Sequence, residues 1–260
     1  MNFLAGAITE YIDVAQLALY VFWLFFAGLI YYLHRENKRE GYPLVMGHGE
    51  KGRIEGFPGV PKPKTFILPH GAGTVSVPRP EVDTSAINAR MTAPFPGAPI
   101  YPTGDPMASG VGPGAFAART DKPDLMHDGH IRIVPMRIAG EFAINTSCPD
   151  PRGMEVVAGD GKVAGTIQDV WVDRSESIIR YYEVGVGGAG GKRVLLPVNF
   201  ADVSRQRRQV GVNAIFAKHF AAVPALANAD QITRREEDRI CAYYGSGLLY
   251  AEPKRSESLL

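Results

Sequence analysis

The chain has 260 residues, with 28 Lys and Arg against 27 Asp and Glu and a formal net charge of +1. That balance excludes the basic footprint of a nucleic-acid-binding protein. Only Cys148 and Cys241 are present, far apart and outside any CxxC or Cys/His metal spacing, so both are expected to be reduced and no metal site is expected.

The first predicted element is a membrane helix over residues 14–33. From Val14 to Leu33 there are 20 residues without a charge, and Gln16 is the one strongly polar residue among them. A helix rises about 1.5 Å per residue, so ~20 residues cover a hydrocarbon core of ~30 Å. Backbone groups in lipid must bond within their own segment, which a helix does. Tyr11 before the run and Tyr31 and Tyr32 at its close predict an interfacial aromatic belt.

A cleaved signal peptide opens on positive charge and has an apolar core of only ~7–15 residues. Here Glu10 and Asp13 precede the run, and His34, Arg35, Lys38 and Arg39 follow it. Positive flanks stay in the cytoplasm, so residues 1–13 are expected in the periplasm and the bulk of the chain in the cytoplasm.

Residues 34–135 are predicted to be an extended cytoplasmic segment. Between Pro58 and Pro135 lie 14 of the 20 prolines, which excludes a helical bundle. Two readings stand, a disordered linker or an extended segment ordered by a partner. The apolar clusters Thr65–Leu68, Val75–Val77 and Ile100-Tyr101 favour the second.

Residues 136–225 are predicted to be a small β domain. Lys162–Asp173 reads as a strand whose alternation slips near Gln168-Asp169, the mark of a bulge. A turn at Arg174–Ser177 leads into Ile178–Val186, with Tyr182, Val184 and Val186 on one face and Ile179, Tyr181 and Glu183 on the other. Gly187–Gly191 turns the chain into Val194–Leu196, and Val210–Val212 reads as a further strand. Short strands with tight turns mean a meander or small barrel. Residues 226–260 are expected to hold a C-terminal helix over 230–244, capped by Asp230 and ended by Gly245, and a tail.

No enzyme motif survives inspection. The glycines from Gly104 to Gly114 are not followed by the Lys-Ser or Lys-Thr pair of a phosphate loop. The glycines at 187–191 precede no helix of Rossmann type, and there is no GxSxG, HExxH or triad. Two titratable groups stand out: Asp124, His127, Asp128 and His130, and then Asp173, Glu176 and Arg180. Solvated loop and ordinary turn chemistry is the plain reading of both. Proton relay is the functional one, since carboxylates and histidines exchange protons near neutral pH when burial and neighbouring charges tune them.

Several segments resemble the H subunit of the photosynthetic reaction centre of purple bacteria. They are Tyr20–Leu33, Arg39–Leu44, Pro63–Phe66, Pro102–Met107, Gly110–Pro113, Ile133–Met136, Asp169–Asp173 and Glu236–Asp238. The resemblance runs in order through almost the whole chain. It implies one transmembrane helix and a mainly β cytoplasmic domain of the PRC-barrel kind, with the extended Pro/Gly-rich segment and the C-terminal helix. It implies a non-enzymatic subunit in the bacterial intracytoplasmic membrane that caps the L and M subunits and contributes to the proton path to the secondary quinone. Bacteriochlorophyll, bacteriopheophytin, quinones and non-haem iron are then expected on the partners and not on this chain. A light-harvesting antenna ring and a cytochrome subunit are further partners of such complexes, besides membrane lipid.

Residue by residue, Asp173, Glu176 and Arg180 match the family's acidic proton-path positions and their arginine neighbour. Asp124 matches a nearby acid, Glu237 an acid on the C-terminal helix, and His130 one of two surface histidines at the proton entry. The second histidine is replaced by Asp128, an acid two positions earlier by Met126, and a further common acid by Gly185. The alternative is a membrane-tethered PRC-barrel adaptor for a protein or RNA partner.

Overall fold

A computed structural model describes residues 13–42, 44–45, 53–79, 86–95, 97–188 and 190–256. Glu10 and Tyr11 lie outside the described residues. The chain divides into two compact units, essentially residues 1–85 and 86–260, with 95–97 grouped with the first.

In the first unit, helix α1 spans Val14–Glu36. Asp13 caps it, accepting from the Gln16 N–H at 2.7 Å, and His34 and Arg35 occupy the last turn, where the helix dipole favours cations. The helix thus runs one turn beyond the uncharged stretch. None of its residues is buried, although nearly all are apolar. A helix apolar on every side needs an apolar medium around it, and the rest of the described chain does not supply one.

Two residues of the basic flank hold chain. Lys38 is 3% exposed, and its ammonium donates to the carbonyls of Glu55 and Pro58 at 2.5 and 2.6 Å. Arg39 donates to Glu36 and to the carbonyls of Lys62 and Val77. Strands β1 (Leu44–Val45) and β2 (Arg53–Ile54) pair, as do β3 (Lys64–Ile67) and β4 (Thr74–Val77). The apolar clusters at 65–68 and 75–77 therefore form a hairpin. Its Ile67 is 86% exposed, and Phe57 on the preceding turn 84%.

In the second unit, β5 (Ala89–Met91) pairs with β6 (Ile100–Pro102) as a separate hairpin. The main sheet contains β7 (Ile133–Pro135), β8 (Glu155–Ala158), β9 (Val163–Asp173), β10 (Ile178–Val186), β11 (Lys192–Pro197), β12 (Asp202–Ser204) and β13 (Gln209–Val212). Its order is β11-β10-β9-β8-β13-β12, with β7 also on β9, and β8 and β13 run parallel. The bulge expected at Gln168 is present: Glu183 pairs with Asp169 and Val184 with Ile167, leaving Gln168 over. A second bulge leaves Arg180 over, between the pairs Ile179–Val172 and Tyr181–Trp171. Bulges raise the local twist and re-aim side chains. Tyr181, Tyr182, Glu183 and Val184 are all buried, so both faces of β10 are covered.

The C-terminal helix corrects the expected boundaries. Helix α2 spans Arg234–Tyr250, and Thr233, not Asp230, caps it in a reciprocal box with Glu236. Gly245 lies inside the helix and does not end it. A methyl group there would stand 2.8 Å from the Pro113 carbonyl oxygen. The glycine is needed for close approach of the turn at Gly112–Gly114, not for a left-handed cap. Tyr244 is fully buried, stacked on Phe200 and edge-on to Phe220.

Candidate functional site

The site begins with a hairpin in the segment 124–132. Leu125 bridges to Ile131, the Met126 N–H donates to the His130 carbonyl, and the Arg132 N–H donates to the Asp124 carbonyl at 2.9 Å. Gly129, at φ +86°, permits the tight reversal. Asp128 accepts from the His130 N–H at 3.0 Å. The tip residues His127, Asp128 and His130 are exposed, while Asp124 and Arg132 at the base are part-buried. The His130 imidazole lies 4.0 Å from the Asp128 carboxylate. The His130 N–H and the imidazole both pull the Asp128 carboxyl below the usual carboxylate range.

The base meets the end of β9. Ile133 pairs with Asp173, which sets Arg132 beside that carboxylate. Asp173 is fully buried. Its Oδ1 accepts from the Ser175 and Glu176 N–H groups at 3.0 and 3.1 Å. Arg132 donates Nε to Oδ2 at 2.9 Å, and Nη2 lies 2.8 Å from the same oxygen. The same Nη2 pairs with Glu176, whose side chain is 51% exposed. Asp173 holds the Arg132 guanidinium well above its ordinary pKa.

Arg132 Nη1 stands 3.5 Å from Asp124 Oδ2, and Asp124 Oδ1 pairs with Arg234 at the start of α2. Burial pushes the Asp124 carboxyl up, but the hydrogen bond and charge of Arg234 outweigh it and the group ends below its usual range.

Asp124, Asp173 and Glu176 thus gather around two arginines that the sequence reading did not single out. Arg180, expected beside them, sits in the β10 bulge and has no hydrogen bond to Asp173 or Glu176 among the described residues. Its charge acts on Glu237. Glu237 is half-buried on the first turn of α2 and accepts from the Tyr181 hydroxyl at 3.0 Å. Burial pushes its carboxyl up, more than Tyr181, Arg180 and Arg119 pull it down, and the Asp124 charge adds to the rise. Among the described residues no three His, Cys, Asp or Glu side chains converge as a metal site. Both cysteines are free.

A second charged cluster was not anticipated. Glu183 is 3% exposed and accepts from Arg137 at 2.8 Å, Trp171 at 3.0 Å and Arg193 at 2.8 Å. Arg137 also reaches Asp169 at 3.1 Å and Asp230 at 2.8 Å. The available signal was an acid among Tyr and Val within a strand, which demands a buried partner.

Residues 6–138 match the profile of the photosynthetic reaction centre H-chain N-terminal region, and residues 146–217 match the PRC-barrel domain. The first match spans about half of the chain and takes in α1, the paired strands of the first unit and the 124–132 hairpin. The second covers β8 to β13, the body of the main sheet. The chain therefore belongs to the photosynthetic reaction-centre H-chain family, as a membrane-anchored structural subunit of an electron-transfer complex.

Proposed function

We infer that this chain caps the cytoplasmic face of the L and M subunits, supports their quinone sites, and hands protons from the cytoplasm towards the secondary quinone. Reduction of a quinone to a quinol consumes two electrons and two protons. The redox chemistry belongs to cofactors held by the partners, namely bacteriochlorophylls, bacteriopheophytins, quinones and non-haem iron. This chain's part is to carry protons through water-poor protein.

One observation carries the reading: three carboxylates pass from partly exposed to fully buried around a single guanidinium. Asp128 and His130 at the exposed tip are suited to collect protons. Glu176 and Asp124 at the margin pass them inward, and Asp173 is the buried acceptor. Burial favours the uncharged form of Glu237, which suits it to take up a proton along the way. In this reading α1 crosses the bacterial intracytoplasmic membrane once with its N-terminus in the periplasm, and its exposed face meets lipid and the L and M helices.

The test is Glu176→Gln in the assembled complex, followed by flash kinetics across pH. Transfer of the second electron to the secondary quinone slows, while the first electron, which needs no proton, is unaffected. An unchanged second-electron rate removes Glu176 from the path. Purification from membranes separates this reading from a PRC-barrel adaptor: bacteriochlorophyll absorbance accompanies the chain in the first case and not in the second.

A further inference from the structure

We propose that Arg132 is the positioning residue of this relay: one guanidinium fixes Asp173 and Glu176 side by side and turns the half-exposed Glu176 towards the buried carboxylate. The proposal rests on the proton-path reading above, and it departs from the expectation that Arg180 is the arginine of the site.

Three features of the geometry carry it. First, Arg132 reaches both oxygens of Asp173. Oδ1 accepts from two backbone N–H groups and from Arg132 Nε at 3.0 Å, and both donors that reach the fully buried Oδ2 come from Arg132. A buried carboxylate needs a compensating charge, and Arg132 is the cation that reaches Asp173.

Second, among the described residues the Glu176 carboxylate has Arg132 as its one hydrogen-bond donor. With half of that side chain in solvent, nothing else turns it inward. Third, a planar fork is required. Nε, Nη2 and Nη1 face Asp173, Glu176 and Asp124 at once, which a lysine ammonium at the end of a flexible stem does not reproduce.

The other charges around the cluster have their own tasks. Arg234 from α2 serves Asp124, Arg174 is paired with Glu141 at 3.0 Å, and Arg180 acts on Glu237. No second cation of the described residues is placed to replace Arg132 against Asp173.

The experiment compares Arg132→Gln, Arg132→Lys and Glu176→Gln in the complete, pigment-bearing complex. It reads the second-electron rate against pH and the infrared carbonyl band of protonated carboxylic acids on quinone reduction. Arg132→Gln is expected to slow the second electron by about ten- to a hundredfold, the effect of a misplaced reacting group, with the first electron unchanged. Its pH profile departs from that of wild type, because the carboxylates have lost the cation that holds them. A protonated-acid band appears at neutral pH and disappears when Asp173→Asn is added. Arg132→Lys keeps the charge but not the fork, and falls between wild type and Arg132→Gln.

A wild-type rate and pH profile in assembled Arg132→Gln complexes, with Glu176→Gln slow, overturns the positioning role and leaves the relay standing. A normal Glu176→Gln removes the relay reading instead; the infrared band then decides on Arg132 alone, and its absence from Arg132→Gln overturns the proposal. If Arg132→Gln does not assemble, a fully wild-type Arg132→Lys overturns it. A purely structural arginine lowers the melting temperature without moving the pH profile or the band.

Discussion

The indole N–H of Trp171 donates to the Glu183 carboxylate at 3.0 Å, inside a sheet where both side chains are buried. Burial pushes the Glu183 carboxyl up, but hydrogen bonds from Arg137, Trp171 and Arg193 and the Arg137 charge hold it below the usual range. Glu183→Leu leaves the buried indole N–H without an acceptor and strips Arg137 and Arg193 of a shared partner. Breaking a buried ion pair from one side costs about 3–5 kcal/mol, and that loss is expected in urea unfolding of the full chain in detergent. Glu183→Gln keeps an acceptor for Trp171 and loses less, about 1.5–3 kcal/mol.

A pH dependence accompanies this pair. The folded-state pKa of Glu183 lies below its unfolded value, so its contribution is present above the unfolded pKa of about 4.3 and disappears as pH falls through the folded value. The difference in stability between wild type and Glu183→Gln is therefore expected to shrink on acidification. A difference independent of pH means that Glu183 is not the group responsible.

Tyr244 gives the opposite sign. Its ring is packed against Phe200 and Phe220, yet among the described residues its hydroxyl has no hydrogen-bond partner, and it has no solvent exposure. A buried hydroxyl left unpaired costs about 1–3 kcal/mol. Tyr244→Phe removes the oxygen and keeps the ring, so it is expected to stabilise the chain by about 1 kcal/mol. Thermal unfolding of the two proteins side by side checks this, and a destabilised Tyr244→Phe means that the hydroxyl is satisfied in solution.

These residues also mark where the sequence was legible. Uncharged length defined α1, because a bilayer imposes that length. Alternation and its slip revealed β9, β10 and the Gln168 bulge, because a strand with one misfit residue breaks its own period. The end of α2 was misread because Gly245 serves a contact with Pro113, more than 100 residues away in sequence, and local cap rules do not register such a contact.

The acids of the site were recognisable from a family resemblance, but their arginines were not. Arg132 meets Asp173 only because β7 lies on the far half of β9, and Arg234 meets Asp124 across the fold. Spacing along the chain carries no trace of either pairing. Glu183 was visible as an oddity, an acid inside an apolar strand, but its partners Arg137 and Arg193 approach from other elements.

Glu237 supplies the last prediction, and its sign is opposite to that of Glu183. Burial raises its folded-state pKa, so the folded chain holds this proton more tightly than the unfolded chain does. Stability from this group is then greatest in acid. It falls as pH rises from the unfolded value of about 4.3 through the folded value, and above that the deficit is constant. Glu237→Gln keeps an acceptor for the Tyr181 hydroxyl and carries no charge at any pH. The variant is expected to match wild type at low pH and to exceed it at neutral and alkaline pH, with the gap opening across that window. Urea midpoints measured from pH 4 to 8 read this directly. A gap that closes with rising pH instead means that the carboxylate is better stabilised when charged, and that Arg180 and Tyr181 outweigh burial.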